Sequence, residues 1–123
     1  MFQLTVEARF NATHRLALPD GTFEPNHGHD WRVATIVAAD RLDDMETVMD
    51  FHELERVLGE LLRPLNHTDL NAHPAFAEAN PSAERLAEWI GRSLKPQLPD
   101  HVRLVRVDVE EAPRCIASFV PDA

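Results

Sequence analysis

The feature that most constrains the fold is a regular alternation of apolar and polar side chains at the N-terminus. In residues 2–14 every second side chain is apolar, and most of the side chains between them are polar or charged. The apolar set is Leu4, Val6, Ala8, Phe10 and Ala12. A period of two residues is typical of a β-strand that buries one face. His14 lies on the apolar face of this predicted strand.

A second strand is predicted for residues 27–38, after a loop rich in proline and glycine. His27 and His29 share a face of it, because side chains two positions apart on a strand point the same way. Gly28 between them leaves the backbone open to close approach. If the two strands form an antiparallel hairpin, His14 lies near the start of the second strand. The three histidines can then converge on one point.

Two helices and a further strand complete the predicted order. One helix starts at Asp50, and a second covers residues 81–94 after a cap at Asn80. Residues 102–110 alternate again as a strand, and a short strand at "CIASFV" can follow it. Because helices and strands are segregated along the chain, the predicted fold class is α+β with an antiparallel sheet.

Length, charge and cysteine content narrow the functional classes. The 123 residues fit a single domain, 1–123, and the formal net charge of −9 argues against nucleic-acid binding. No apolar run is long enough to predict a membrane span. Cys115 is the single cysteine, which excludes an intrachain disulfide and favours a cytoplasmic location. A small anionic substrate remains compatible with the charge, and Arg15 and Arg32 are candidates by proximity.

The three converging histidines predict a metal site. Three neutral imidazoles with an open fourth position are typical of catalytic zinc, whereas structural zinc more often has four ligands that include cysteines. The open position would let the metal polarise a substrate oxygen. The alternative is that they are ordinary turn histidines. His52, His73 and His101, which have no such partners, are interpreted as surface residues.

Several sequence blocks together resemble one enzyme family. "FNATH" followed by "HGHDW", then "VMDFHEL", "LNHTDLN", "NPSAERLAEWI" and "VDVEE", is similar to the 6-pyruvoyl-tetrahydropterin synthase family, which includes the 6-carboxy-tetrahydropterin synthases. The resemblance implies a tunnelling fold, in which two helices cover one face of an antiparallel sheet. It also implies an oligomeric barrel, commonly a homo-hexamer built as a dimer of trimers, with active sites between subunits. The implied zinc ligands are His14, His27 and His29, and the implied substrate is the pterin 7,8-dihydroneopterin triphosphate.

The chain departs from the family pattern four residues before His-Gly-His. Most members have a cysteine there, and this chain has Phe23, which cannot transfer a proton. Glu24 instead creates Glu-x-x-His-Gly-His, which resembles a folate-type branch in which a glutamate replaces the cysteine as general base. In that branch the product is 6-hydroxymethyl-7,8-dihydropterin. The alternative role for Glu24 is a solvated loop carboxylate.

A second departure concerns the Asp-His pair of the family, which is Asn66-His67 here. Asparagine can orient an imidazole but cannot stabilise an imidazolium by charge. Asp69 is a possible compensating carboxylate. The resemblance implies that His67 is the acid/base partner, and the alternative is a helix-end histidine favoured by the helix dipole.

The resemblance also implies residues that hold the pterin ring. The family uses a glutamate in the last long strand, and the motif favours Glu110, although Glu111 shares the face of the strand's valines. Two hydrogen bonds from the amino-pyrimidine edge suit a carboxylate. Ser82 and Glu84 align with a helix start that helps to hold the pterin, and the alternative for Glu84 is a favourable interaction with the helix dipole.

Three hypotheses follow from the resemblance. The first is a zinc-dependent lyase of the folate branch. The second is 6-carboxy-tetrahydropterin synthase activity in a deazapurine pathway, or 6-pyruvoyl-tetrahydropterin synthase activity, against which the missing cysteine counts. The third is a non-catalytic tunnelling-fold protein that binds zinc or a pterin, which Phe23 and Asn66 favour.

Overall fold

A computed structural model describes residues 1–122 as a five-stranded sheet with two helices. The strands are β1 (Phe2–His14), β2 (His27–Ala39), β3 (Thr68–Asp69), β4 (Arg103–Ala112) and β5 (Cys115–Phe119), and the helices are α1 (Phe51–Leu62) and α2 (Ala83–Leu94). The predicted α+β tunnelling fold is confirmed. The extent of the predicted domain, 1–123, stays a prediction, and residue 123 lies outside the described residues.

The order of strands in the sheet is β3-β1-β2-β4-β5. The predicted hairpin is present: β1 and β2 pair antiparallel along their whole length, from Phe2 opposite Ala39 to His14 opposite His27. All long pairings are antiparallel, but the two-residue β3 runs parallel to β1, so the sheet is mixed. This register places the ends of β1 and β2 that carry histidine side by side.

The core lies between one face of the sheet and the two helices. Trp31, Val33 and Val37 of β2 are fully buried there, as are the apolar stripes of both helices. The opposite face carries charged side chains, among them Glu7, Arg32 and Glu110. None of the helices within residues 1–122 is long and apolar enough to cross a bilayer.

The start of α2 differs from the prediction. The helix begins at Ala83, and its cap is Ser82, whose hydroxyl accepts a hydrogen bond from the backbone N–H of Arg85 at 3.2 Å. Asn80 serves another purpose, because its amide makes two hydrogen bonds with the backbone of Ala17. The segment that leads into α2 is thereby attached to the segment that follows β1.

Candidate metal centre and active site

Three histidines converge where β1 ends and β2 begins. One ring nitrogen from each of His14, His27 and His29 lies within 4.8 Å of the corresponding atoms of the other two. The antiparallel register explains this, because His14 is directly opposite His27 and His29 is two residues further along the same face. Trp31, fully buried, packs edge-on against His14 and His29 and forms the floor of the cluster.

Hydrogen bonds orient two of the rings. Nδ1 of His14 lies 2.8 Å from the carbonyl oxygen of Pro81, and Nδ1 of His27 lies 2.9 Å from that of Pro25. A carbonyl oxygen only accepts, so both Nδ1 atoms carry the proton and both Nε2 atoms present a lone pair. These two Nε2 atoms are 3.1 Å apart. Two lone pairs so close repel each other unless a cation lies between them.

His29 supplies the third convergent nitrogen. Its Nε2 atom is buried and has no hydrogen-bond partner within residues 1–122. Burial lowers the pKa of His29, which favours the neutral imidazole that a metal requires. The three neutral nitrogen donors fit a divalent metal such as zinc, and the predicted ligand set is brought together in space. The fit to a metal rests on Nε2 of His29, which is buried, has no hydrogen-bond partner within residues 1–122 and converges with the Nε2 atoms of His14 and His27.

Glu24 lies on the loop that precedes the histidines of β2. Its carboxylate Oε1 accepts a hydrogen bond from the backbone N–H of Leu16 at 3.1 Å, and its own N–H donates to the carbonyl oxygen of Leu16 at 3.0 Å. Leu16 is two residues beyond His14, so the carboxylate is attached next to a metal-site histidine.

Phe23 is held in a different environment. The guanidinium of Arg15 lies over its ring at 4.3 Å from the centroid, and Phe23 forms an isolated β-bridge with Ala17. Successive residues of an extended ribbon point to opposite sides, so Phe23 and Glu24 project differently. Phe23, which stands where the resemblance places a cysteine in most family members, therefore contacts Arg15.

The structure places Glu110 on the sheet face without helices, apart from the three histidines. Its two oxygens accept hydrogen bonds from Arg32 at 3.1 and 3.4 Å, on the sheet face without helices. These bonds hold the pKa of Glu110 below its ordinary value. Arg32 also donates to Glu7 at 2.8 Å, so this guanidinium is paired with two carboxylates and is not free to bind phosphate.

Glu111 is the carboxylate that reaches the histidines. Its Oε1 atom lies 3.3 Å from Nε2 of His14 and 3.9 Å from Nε2 of His29. The register of β4 against β5 shifts between Glu110 and Ala112, which marks a bulge at Glu111. The alternation of the valines in β4 was the sequence signal for this residue, because Glu111 has their parity.

The start of α2 borders a cavity beside Glu111. Glu84 and Glu111 line this cavity of about 410 Å³ together with Cys115 and backbone and side-chain atoms of β5. Ser82 is the helix cap one residue before Ala83, which also lines the cavity. Glu84 and Ser82 therefore lie beside the site, and the cap role of Ser82 is structural.

His67 is not joined to the histidine cluster. Within residues 1–122 its side chain makes no hydrogen bond or ion pair, and its backbone has a positive φ of 60°. Its backbone N–H donates to the carbonyl oxygen of Asn11 at 2.6 Å. Asn66 accepts from the N–H of Asn11 at 2.9 Å, and Asp69 accepts from the N–H of Asn71, so both side chains are used on the backbone. Neither residue orients the imidazole of His67.

Comparison with known proteins agrees with these observations. The sequence profile described as 6-pyruvoyl tetrahydropterin synthase matches residues 3–122. The chain is 28% identical over 109 residues to dihydroneopterin monophosphate aldolase of Pyrococcus furiosus, and the match covers 89% of each chain. It is 33% identical over 100 residues to 6-carboxy-5,6,7,8-tetrahydropterin synthase of Synechocystis, which covers 77% of this chain and 76% of the relative.

Solved structures share the fold at lower identity. The 6-pyruvoyl tetrahydropterin synthase of Caenorhabditis elegans superposes with a TM-score of 0.82 at 19% identity, covering 98% of this chain and 96% of that one. A catalytic-residue mutant of the Plasmodium vivax 6-pyruvoyltetrahydropterin synthase, with alanine in place of a glutamate, gives a TM-score of 0.81 at 19% identity over 99% and 98% of the two chains. The match over nearly the whole sequence shows that the chain belongs to the 6-pyruvoyl tetrahydropterin synthase family.

Proposed function

We propose that this protein is a zinc-dependent lyase that cleaves the side chain of phosphorylated 7,8-dihydroneopterin and yields 6-hydroxymethyl-7,8-dihydropterin for folate synthesis. The observation that carries the proposal is the attachment of Glu24, at the position next to the usual cysteine, beside a convergent set of three imidazoles. The similarity to a relative named dihydroneopterin monophosphate aldolase supports the same reaction class.

The metal would be held by His14, His27 and His29. Bound there, zinc would supply a Lewis acid that withdraws electron density from a hydroxyl oxygen of the substrate. The protein's part in this is to keep the three Nε2 atoms deprotonated, which the hydrogen bonds to Pro81 and Pro25 achieve for two of them.

Glu24 is the proposed general base. In a retro-aldol cleavage the base takes the proton of the second side-chain hydroxyl, and that oxygen becomes the carbonyl of the aldehyde that leaves. The bond between the first and second side-chain carbons breaks, and the carbon that stays on the pterin then takes a proton. The hydrogen bond from Leu16 occupies Oε1 only, so Oε2 of Glu24 is available for this transfer. The catalytic glutamate of the Plasmodium vivax relative is a precedent for carboxylate chemistry on this fold.

His67 is proposed as the acid that returns the proton. Because it contacts none of the three metal-site histidines within the described chain, it would have to serve the site of a neighbouring copy. A homo-hexamer with sites between subunits, as the sequence resemblance implies, accommodates this arrangement. The hexamer and a cytoplasmic location stay predictions.

Glu111 is proposed to bind the amino-pyrimidine edge of the pterin, and Glu110, which the sequence motif favours, is the alternative carboxylate for this role. It lies on the same face as the histidines and lines the cavity beside α2. A cavity of about 410 Å³ is within the usual size of small-molecule sites. Ser82 and Glu84 are proposed to border the ring from the helix start.

A 6-carboxy-tetrahydropterin synthase activity is the second candidate. The 33% identity to the Synechocystis relative favours it. Phe23 opposes it, because a phenyl ring beside Arg15 offers no group for proton transfer. The two candidates differ in product, and therefore one assay separates them.

The test is to incubate zinc-loaded protein with 7,8-dihydroneopterin monophosphate and, separately, triphosphate, and to identify products by mass and chromatography. We expect 6-hydroxymethyl-7,8-dihydropterin, and we expect Glu24→Gln to lower kcat by about 100- to 10,000-fold while zinc content is unchanged. Glu55→Gln, an exposed helix glutamate, is the matched control and should keep full activity. A carboxy or pyruvoyl product would move the protein to the second candidate. Zinc binding with no turnover would favour a non-catalytic pterin-binding protein.

A further inference from the structure

Glu111 lies on the face of β4 that carries the buried Val107 and Val109, and this face is the one toward the histidines. Glu110 lies opposite Ile116 and Ala112 opposite Cys115, so β4 has one more residue than β5 in this interval. This bulge leaves Glu111 outside the regular pairing with β5. The carboxylate of Glu111 is one-third exposed, so it is partly withdrawn from water and retains room to rotate.

The distances around His14 are those between ligands of one metal ion. With zinc–nitrogen bonds of about 2.0–2.1 Å, the corners of a tetrahedron lie about 3.3–3.4 Å apart. Nε2 of His14 is 3.1 Å from Nε2 of His27 and 3.3 Å from Oε1 of Glu111. Oε1 is 3.9 Å from Nε2 of His29 and is not within 4.8 Å of all three histidine nitrogens, so the Glu111 carboxylate would have to move toward His27 to share one metal ion with the three imidazoles.

The charges in this group also require a cation. Nε2 of His14 and of His27 present lone pairs, and the carboxylate of Glu111 only accepts when ionised. Three acceptors therefore face one another in a site whose floor is the buried Trp31. A divalent metal neutralises the carboxylate and the lone pairs together.

We propose that Glu111 is the fourth ligand of the metal in the substrate-free protein, and that a pterin ring displaces it from the metal by binding the same carboxylate. The second half of this inference rests on the proposed pterin function. The fourth coordination position would then be closed to other anions until a pterin arrives. Glu111 lines the cavity beside the start of α2, so a ligand in this cavity could contact the carboxylate.

The first test is metal affinity, measured by competition with a chelating dye for zinc and cobalt. We expect Glu111→Gln to weaken binding by at least about tenfold, because a neutral amide oxygen is a poor ligand. Two matched controls are Glu84→Gln, which lines the same cavity, and Glu110→Gln, which is adjacent on the other face. Both should bind the metal like the unmodified protein.

The second test uses the unmodified chain, so that a folding defect of the variant cannot decide the outcome. The visible absorption of the cobalt form reports the ligands of the metal. Bare pterin, which has no side-chain hydroxyls to offer the metal, should change this spectrum, and it should leave the cobalt spectrum of Glu111→Gln unchanged. Equal metal affinity in Glu111→Gln, or a cobalt spectrum of the unmodified protein that bare pterin leaves unaltered, overturns the proposal. Absence of turnover with the phosphorylated substrates would overturn the proposed lyase function. It would not change the measured metal affinities or the cobalt spectra, so the two proposals fail separately.

Discussion

At the scale of the residue, the site depends on the orientation of single imidazoles. His14 is almost completely buried, and one of its nitrogens donates to the carbonyl oxygen of Pro81. The remaining nitrogen, Nε2, points toward His27, His29 and the carboxylate of Glu111. A buried polar group with one satisfied and one unsatisfied nitrogen costs free energy unless a metal or proton completes it.

Removing one imidazole should remove the response of stability to zinc. A site filled at 100 times its dissociation constant stabilises the folded state by about 2.7 kcal/mol. We expect zinc to raise Tm of the unmodified protein and to have no such effect on His29→Ala. His52→Ala, a 90% exposed histidine, is the control and should respond like the unmodified protein. Thermal unfolding with and without a chelator measures the difference, and an undiminished zinc response in His29→Ala would exclude it as a ligand.

At the scale of the element, the start of α2 has two tasks. It places the carbonyl oxygen of Pro81 against His14, and it exposes the first turn of the helix to the cavity beside Glu111. Ser82 closes the helix end by accepting from the N–H of Arg85. A substitution at Ser82 should therefore lower the free energy of unfolding. It should weaken substrate binding only if Ser82 also contacts the pterin.

Ser82→Ala should lower the free energy of unfolding by about 1 kcal/mol, the usual effect of a lost N-cap. Urea denaturation at fixed protein concentration measures it, and Ser93→Ala, in the same helix without a capping role, is the control. If Ser82 contacts the pterin, KM should also rise in Ser82→Ala. If Ser82→Ala lowers the free energy of unfolding but leaves KM unchanged, Ser82 caps the helix and does not contact the pterin.

The packing of α2 on β5 gives a second prediction at this scale. A Cβ on Gly91 would lie 2.6 Å from a ring carbon of Phe119, whereas a Cβ on Gly59 of α1 meets nothing within 4 Å. Gly59→Ala should stabilise the protein by about 0.5–1 kcal/mol through helix propensity. Gly91→Ala should destabilise it by about 1 kcal/mol, because the overlap exceeds that gain. If the two variants have equal urea midpoints, the Phe119 ring can move away from the new methyl group without loss of stability, and the prediction for Gly91→Ala is wrong.

At the scale of the whole molecule, the sheet has two open edges. Within residues 1–122, β5 pairs only with β4, and β1 has a partner on its outer side only at Ala12 and Thr13. Phe2 is 51% exposed on β1 and Ile116 is 52% exposed on β5. Exposed apolar side chains on unpaired strands favour association with another copy.

We expect light scattering after size-exclusion chromatography to give the mass of six copies. Ile116→Lys should reduce that mass, because a lysine on an edge strand opposes pairing with a second strand. Met45→Lys, an 83% exposed loop position, is the control and should leave the assembly unchanged. A monomeric mass for the unmodified protein would contradict the predicted assembly and the proposed role of His67 in a neighbouring site.

The sequence by itself determined most of the local elements and the set of histidines that could hold a metal. Alternation over residues 2–14 and 27–38 predicts β1 and β2 to within one residue, and the parity of His14, His27 and His29 predicts that they share a face. These inferences depend on spacing along one strand or across one hairpin. Such spacing is set by backbone geometry, so it can be read from residue positions alone.

The tertiary structure decided between Glu110, which the motif favours, and Glu111, which strand parity favours, and it decided what each asparagine does. Glu111 faces His14 from the side of the β4 valines, while Glu110 is paired with Arg32 on the other face of the sheet. Asn80, predicted as a helix cap, binds the backbone of Ala17 instead. These choices depend on contacts between segments distant in sequence, whose relative positions arise from packing in the folded chain.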